Sequence, residues 1–327
     1  MADARTAAAR AIALAGPAGT GKTTLMEALL HRAGATARQG SVQDHTAVGD
    51  SSAEARARGQ STELNIASFA FMDDRYAIID CPGSVEFAAD ADHALQACDL
   101  VIAVVDPQPE KAVLLQPLMK RLEQAGVPHA IFVNKIDQAH GRLRDLLVAL
   151  QSVSGRPVVA RQLPIWEDEH VKGFVDLALE RAFEYRPGHP SEQIDIPADL
   201  AQEEADERFH MLEQLADFDD ALMEQLLEDR TPERDTVFAD LAREMREGLI
   251  VPVFLGSALN GEGMLRLLKA LRHEAPTPEA AAARLGGEGD SVFVFKTAHA
   301  GQAGKRAYCR VMSCKLADGA ERTRCDG

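Results

Sequence analysis

A short glycine-rich segment has the spacing needed to bind a polyphosphate. The segment GPAGTGKT starts at Gly16 and ends with Gly21, Lys22 and Thr23. Small residues let backbone N–H groups point at phosphate oxygens, a lysine reaches the terminal phosphates, and a hydroxyl binds Mg²⁺. The apolar stretch AIALAG precedes the loop, and KTTLMEALLHRAG continues as a helix whose N-terminus favours an anion. The predicted phosphate-binding residues are Gly16, Pro17, Ala18, Gly19, Thr20, Gly21, Lys22, Thr23 and Thr24.

A second polar segment, NKID, follows the apolar run HAIFV and is suited to selecting a base. The Asp137 carboxylate can accept hydrogen bonds from N1 and N2 of guanine, a donor pair that adenine lacks. A buried carboxylate of this kind rejects the wrong base by factors on the order of 10⁴. The GSAL segment follows another apolar run and can offer backbone contacts to the guanine oxygen. The predicted base-binding residues are Asn134, Lys135, Asp137, Ser257, Ala258 and Leu259.

The segment DCPG is suited to sensing a third phosphate. Its Asp80 carboxylate can hold Mg²⁺ through water, and the N–H of Gly83 can meet a γ-phosphate. In the preceding loop, Ser61 or Thr62 can close on Mg²⁺ when that phosphate is present, although ordinary solvation of a loop explains both hydroxyls equally well. The predicted metal ligands are Thr23, Ser61 and Asp80.

The elements that must position these segments alternate in type along the chain. Between residues 11 and 155, short apolar runs are each followed by an amphipathic stretch, which is typical of a doubly wound, mostly parallel sheet in an α/β protein. Residues 36–62 are polar and lack periodicity, so we expect a long, mobile, functional loop. The predicted fold class is a P-loop α/β protein with an α+β insertion and the start of a β-barrel.

This pattern predicts four units along the chain. Residues 1–156 and 249–279 form the nucleotide-binding domain, and residues 157–248, with helices from about 199 to 247, form the insertion. The segment PTPEAAAARLGGEGD predicts a linker at 280–290. Residues 291–327 contain two strand-like runs of an incomplete β-barrel. Because such strands leave unpaired edges, we expect poor order beyond about residue 286.

Composition restricts the classes of function. The net charge is −16, which argues against a protein that coats nucleic acid through phosphate contacts. Residues 192–247 contain 19 acidic residues against 5 arginines and therefore account for most of that charge. The five cysteines contain no CxxC pair, which favours reduced thiols in the cytoplasm. The longest apolar run, LVIAVV, is a buried strand, and we expect no membrane segment.

The order of these motifs resembles a translational GTPase. The insertion, from ARQLPIWEDEHVKGFVDLALERAFEY to LIVPVFLGSALNGEGMLRLL, is similar to that of bacterial elongation factor G and its close relatives, over about residues 11–278. The resemblance continues into VFVFKT and CRVMSCKL, which look like the start of that family's second domain. It implies GTP or GDP with Mg²⁺ as cofactors, a monomer, and the ribosome as partner. Ribosomal RNA and the stalk protein would be contacted, the latter through the acidic insertion, although a solvated helical face explains that charge equally well.

The position directly after DCPG departs from the family's pattern. Fully active members have a histidine directly after DxPG that positions the attacking water, and this chain has Ser84. Ser84 can instead cap the following helix. The resemblance therefore implies a ribosome-stimulated GTPase with weak intrinsic hydrolysis, in which Gly83 and Lys22 act beside Ser84. Two alternatives remain: a GTP-controlled binding module without hydrolysis, and a P-loop kinase in which NKID is coincidental.

Overall fold

A seven-stranded sheet forms the centre of the computed structural model, which describes residues 9–48, 61–84, 86, 88–186, 188–286, 291–299, 304–312, 316 and 319. Numbered in chain order, its strands are Arg10–Ala15 (β1), Asn65–Phe71 (β2), Asp74–Asp80 (β3), Leu100–Val105 (β4), His129–Val133 (β5), Val158–Ala160 (β6) and Val251–Leu255 (β11). The spatial order is β2-β3-β1-β4-β5-β11-β6. Only β2 runs antiparallel to its neighbour. The predicted doubly wound, mostly parallel sheet is thereby confirmed.

Helices cover both faces of this sheet because successive strand residues point to opposite sides. The helices are Lys22–Arg32 (α1), Ala88–Ala97 (α2), Gln116–Gln124 (α3), Leu143–Gln151 (α4) and Met264–His273 (α8). Ile12 and Leu14 of β1 pack with helices α1 and α8, whereas Ala11 and Ala13 pack with helices α2, α3 and α4. In the described part of the chain, no helix has the length and apolar character needed to cross a bilayer.

The insertion has its own sheet and core. Strands Gln162–Glu167 (β7), His170–Asp176 (β8), Arg181–Arg186 (β9) and His189–Ile194 (β10) form a four-stranded antiparallel sheet in the order β10-β9-β8-β7. Helices Ala201–Ala216 (α5), Asp220–Leu227 (α6) and Arg234–Glu247 (α7) follow it, as the periodicity predicts. The predicted boundary at residue 157 is wrong by one strand, because β6 pairs with β11 at the edge of the central sheet.

A buried ionic network joins the insertion to the central sheet. Arg161 forms a fully buried ion pair with Glu274. Arg266 of α8 contacts Asp176 at 2.5 Å and Glu274 at 3.3 Å. Each charge in this network has a partner of opposite sign, which is the condition under which buried charges are tolerated. The network therefore fixes α8 against the insertion.

The C-terminal region differs from the sequence prediction in two ways. Residues 280–290 are not simply a linker, because a helix, Pro278–Arg284 (α9), occupies the first part. Its Arg284 donates hydrogen bonds to the carbonyls of Gln96 and Cys98 at 2.9 and 2.6 Å. The rest of the predicted linker lies largely outside the described residues.

Beyond it, strands Val292–His299 (β12) and Lys305–Val311 (β13) form an antiparallel hairpin that docks on the central domain. Arg310 of this hairpin contacts the buried Asp99 carboxylate at 2.9 and 3.1 Å. The expectation of poor order beyond residue 286 is therefore wrong for these strands. The reason is that a carboxylate buried at this point requires a cation, which Arg310 supplies.

Candidate functional site

The glycine-rich loop connects β1 to α1, and its glycines have geometrical reasons to be there. Gly16 has a φ of +140°, and a Cβ at this position would collide with the carbonyl of Val104 on β4. Gly21 has a φ of +86° and directly precedes α1, which begins at Lys22. These conformations favour glycine and bring the backbone close to the helix N-terminus. The loop thus has the geometry to wrap an anion.

Lys22 points back across the loop. Its Nζ donates a hydrogen bond to the Pro17 carbonyl at 2.8 Å, and only 6% of the residue is exposed. Burial lowers the pKa of Lys22 below its ordinary value, and the nearby Asp80 carboxylate opposes that shift. A phosphate beside Lys22 would supply a second negative charge and favour the ammonium form.

Asp80, at the end of β3, is the centre of a cluster of oxygen atoms. Its Oδ2 accepts hydrogen bonds from Thr23 Oγ1 at 2.6 Å and from Ser61 Oγ at 3.4 Å, and the two hydroxyls lie 3.1 Å apart. The three predicted metal ligands are therefore brought together. Burial raises the pKa of Asp80, against the effect of the Thr23 hydrogen bond and the Lys22 charge. The other carboxylate oxygen is buried and has no hydrogen-bond partner among the described residues.

Gly83 and Ser84 follow in the turn after β3. A Cβ on Gly83 would collide with Lys22 Nζ and would lie 2.8 Å from the backbone nitrogen of Ala18. The turn therefore rests against the phosphate loop. Ser84 is half-buried, and its Oγ accepts a hydrogen bond from the Glu86 N–H at 3.4 Å. Helix α2 is described from Ala88 onward, and the proposed cap of this helix by Ser84 stays a prediction.

Asn134 connects the phosphate loop to the GSAL segment. Its Nδ2 donates to the Thr20 carbonyl at 2.8 Å, and its Oδ1 accepts from the Ala258 N–H at 2.9 Å. Lys135 adopts a left-handed conformation, with a φ of +59°, and donates to the Gly19 carbonyl at 2.6 Å. Two segments separated by more than a hundred residues are thus held in one site.

The predicted base-recognition residues lie next to this connection. Asp137 is half-buried, and its Oδ1 is buried without a hydrogen-bond partner in the described structure. Ser257 and Ala258 are buried, whereas Leu259 is 73% exposed. A carboxylate oxygen in this state is suited to accept hydrogen bonds from a ligand, since leaving it unpaired costs free energy.

A cavity of about 340 Å³ lies over the phosphate loop. Its lining includes Lys22, Thr23, Ser61, Gly83 and Leu259, together with residues 39–43. This volume lies within the range of small-molecule sites, which is roughly 300–1,000 Å³. The cavity therefore gathers residues from all the predicted segments except NKID, which lines none of it.

The part of the 36–62 loop that is described, residues 36–48, folds over this cavity without forming a helix or strand. The buried Glu27 of α1 accepts hydrogen bonds from the N–H of Gly40 at 3.2 Å and of Val48 at 2.6 Å. Gln39 donates to the Ala258 carbonyl at 2.9 Å. Residues 49–60 lie outside the described residues, and the predicted mobility of the loop stays a prediction.

Three residues of this site, Asp106, Gln39 and Glu27, are not among those predicted from the sequence. Asp106, at the end of β4, contacts Lys135 Nζ at 2.9 Å and Lys111 Nζ at 2.6 Å. Burial alone would raise the pKa of Asp106, but the hydrogen bonds from the two lysines lower it overall. The position of Asp106 at the carboxyl end of a parallel strand is a signal that identifies it. Gln39 and Glu27 give no comparable signal, because their roles depend on loop contacts.

The fold and the site define a class: α/β proteins in which a phosphate-binding loop follows the first strand of a mostly parallel sheet. Residues 7–277 match the family model described as the elongation factor Tu GTP-binding domain. The chain is 42% identical over 275 residues to an elongation factor G-like protein of Synechocystis sp. (strain ATCC 27184 / PCC 6803 / Kazusa), covering 84% of this chain and 41% of that protein.

A solved structure is also similar to this chain in fold. The crystal structure of ttk003000868 from Thermus thermophilus superposes with a TM-score of 0.85 at 29% identity, over 96% of this chain and 46% of that one. The chain thus spans less than half the length of both relatives. It belongs to the elongation factor Tu GTP-binding domain family, among translational GTPases of the elongation factor G type.

Proposed function

We propose that this chain binds GTP and GDP and hydrolyses GTP weakly, as the nucleotide-binding part of a factor that ribosomes stimulate. The observation that carries the proposal is the double hydrogen bond of Asn134, which joins the phosphate loop at Thr20 to the GSAL segment at Ala258. These two hydrogen bonds hold Thr20 and Ala258 close to each other, which supports a single site for the phosphates and the base. Family membership supports the same nucleotide.

Each predicted residue then has a role. Residues 16–24 bind the phosphates, with Lys22 at the terminal ones. Asp137 accepts the guanine N1 and N2 donors, and the backbone of residues 257–259 contacts the guanine oxygen. Gly83, against the phosphate loop, presents its N–H to the γ-phosphate. These roles follow from the chemistry of each group and its place in the site.

The oxygen cluster fits Mg²⁺. Thr23 and Ser61 offer hydroxyl oxygens, and the buried, unpartnered Oδ1 of Asp80 is a hard oxygen ligand for direct or water-mediated contact. When bound, Mg²⁺ would neutralise charge on the β- and γ-phosphates. Thr23, Ser61 and Asp80 would position that ion. The cation would in turn stabilise the ionised form of the buried Asp80 carboxylate.

Ser84 makes hydrolysis weak in this proposal. A serine hydroxyl is a poor general base, and here it already accepts the Glu86 N–H. A partner can add roughly 10³ to 10⁵ to the rate of a switch GTPase, so a slow intrinsic rate is compatible with an enzyme. The alternative is a GTP-dependent ribosome-binding module without hydrolysis, and the presence of Ser84 is the observation that favours it.

Two measurements test the proposal. Calorimetry with GTP, GDP and ATP in the presence of Mg²⁺ should show binding of the guanine nucleotides only, and a preference for ATP would instead support the kinase. Phosphate release from GTP should be slow for the chain alone and faster with ribosomes. Binding of GTP without release in either case would leave the binding module as the function.

The partners and location follow as proposals from the family. We propose that the factor acts as a monomer in the cytoplasm and contacts ribosomal RNA and the stalk protein, the latter through the acidic insertion. We further propose that residues 1–156 and 249–279, with β6 added, act as the GTP-binding domain, and that β12 and β13 begin a β-barrel domain.

A further inference from the structure

A second cavity, of about 460 Å³, lies between the insertion and the central domain. We name it the junction cavity; its lining comes from β8, β9 and β10 of the insertion, from helices α7 and α8, and from Arg32 at the end of α1. Gly261, Glu262 and Gly263 also line it. These residues follow Asn260, which comes after the GSAL segment. The junction cavity shares no lining residue with the cavity over the phosphate loop, whose lining includes Leu259, but the two cavities meet the same loop.

One wall of the junction cavity is aromatic. The Phe174 ring lies 5.3 Å from that of Phe183 and 5.7 Å from that of Tyr185, measured between centroids. Phe238 of α7 contributes a further ring to the lining. Tyr185 is only 9% exposed, yet its hydroxyl has no hydrogen-bond partner in the described part of the chain. A wall of this kind suits a flat, apolar group that also offers a hydrogen bond.

The remaining lining carries excess positive charge. The lining cations are Arg32, Arg186, Arg234, Arg266 and Lys269. Three of them have carboxylate partners outside the cavity, namely Glu192 for Arg186, Glu180 for Arg234, and Asp176 for Arg266.

Arg32 and Lys269 have no carboxylate partner among the described residues. The carboxylates that line the cavity are Asp235 and Glu262. Burial raises the pKa of Glu262, despite an opposing hydrogen bond from Asn260. The two unpaired cations are therefore available to a ligand.

We propose that the junction cavity binds a small anion that carries an aromatic ring. The ring packs against Phe174, Phe183 and Tyr185, and the anionic group lies between Arg32 and Lys269. The Tyr185 hydroxyl donates to, or accepts from, a polar atom of the same ligand. Such a ligand contacts residues 261–263 and the end of α1 at once, and both elements lead directly to the candidate nucleotide site.

The probe for this proposal is 1-naphthyl phosphate, with 1-naphthol as its neutral counterpart. Calorimetry is performed on the 327-residue chain carrying Lys22→Ala, which weakens the phosphate loop as a competing site. Arg32→Gln and Lys269→Gln together should weaken 1-naphthyl phosphate binding at least about tenfold, the low end of the effect of one charge-assisted hydrogen bond. Tyr185→Phe, which keeps the ring, should weaken it by a smaller factor.

The matched control is Lys120→Gln, which removes an exposed lysine of α3 outside the cavity and should leave the affinity unchanged. Binding of 1-naphthol should be weaker than that of the phosphate and insensitive to the charge substitutions. Thermal unfolding of each variant verifies that it is folded. The proposal is overturned if folded Lys22→Ala protein shows no saturable binding, or if the Arg32 and Lys269 substitutions do not alter it. If the unmodified chain does not bind GTP, the proposed function is refuted, but binding of 1-naphthyl phosphate in the junction cavity still supports the present proposal.

Discussion

The phosphate loop and the turn at residues 80–84 lie next to each other, but only the loop has every residue type that its proposed role requires. The loop has each feature that phosphate binding requires: Gly16 and Gly21 in conformations that favour glycine, and Lys22 folded back across it. In the turn, Asp80 contacts Thr23 of the loop and Gly83 lies against Lys22, whereas Ser84 stands where a histidine is expected. Under the proposed function, the loop is therefore the complete region and the turn the incomplete one.

Lys22→Ala should have the largest effect, because it removes the cation of the complete region. We expect GTP affinity to fall about a hundredfold, since charge-assisted hydrogen bonds contribute about 1.5–3 kcal/mol each. Titration with a fluorescent GTP analogue measures the change, and Lys120→Ala on the exposed face of α3 is the control. An unchanged affinity would show that the loop is not the phosphate site.

Ser84→His tests the incomplete region. A positioned imidazole should raise single-turnover GTP hydrolysis by about tenfold, less than the roughly 10²–10⁴-fold that an optimally placed acid–base group contributes. Affinity for GTP should remain as it was. Ser84→Ala is the control and should leave the rate nearly unaltered. A histidine variant that binds GTP but is no faster would indicate that hydrolysis is impaired at more than one residue.

Gly83→Ala tests the contact between the two regions. The added Cβ would press on Lys22 Nζ and on the Ala18 backbone. We expect affinity for a non-hydrolysable GTP analogue to fall about tenfold while GDP affinity changes by less than about twofold, since GDP lacks the γ-phosphate. Competitive titration of both nucleotides gives the ratio. Equal losses would mean that Gly83 supports the loop without sensing the third phosphate.

Asp80→Asn should have the smallest effect, and it concerns stability. Burial raises the pKa of Asp80, so the folded chain retains a proton that the unfolded chain has released, and stability falls as the pH rises through this interval. At pH 7 the nucleotide-free variant should therefore unfold at a slightly higher temperature than the unmodified chain.

The temperature difference should disappear in acid, below the ordinary pKa of aspartic acid. Mg²⁺-dependent GTP binding by the Asp80→Asn variant should weaken at the same time. Thermal unfolding across pH, with and without nucleotide and Mg²⁺, separates these effects. A variant less stable than the unmodified chain at every pH would mean that the hydrogen bonds of Asp80 outweigh the cost of burying its charge.

Local sequence signals were sufficient for the inner strands of the central sheet, the helices of the insertion and the phosphate loop, but they did not identify the edge strand β2. Each depends on spacing within a short segment, such as the run from Gly16 to Lys22. The place of β6 was not predictable in this way, because its partner β11 is about ninety residues away. The same applies to the Asp106 contact with Lys135, since a carboxylate at the end of a strand gives no indication of which lysine it meets.

The prediction of poor order was wrong for the hairpin of β12 and β13, because it considered only the sequence of the hairpin itself. Two strands with unpaired edges predict disorder, but the prediction omitted Asp99, whose buried carboxylate stands between the hairpin and the first strand. Asp99 also accepts the Ala11 N–H at 2.6 Å. A pairing of residues 211 positions apart, Asp99 with Arg310, cannot be deduced from either segment alone.

The contact between Arg310 and Asp99 determines where the polypeptide can be shortened. Cutting at residue 286, where composition suggests a boundary between the units, would remove Arg310 and leave the enclosed Asp99 carboxyl group without its cation, beside the strand that leads into the phosphate loop. Protein prepared for nucleotide titrations should therefore extend at least through residue 312. In a shorter chain, weak nucleotide binding can result from a disturbed β1 and not from the nucleotide site itself.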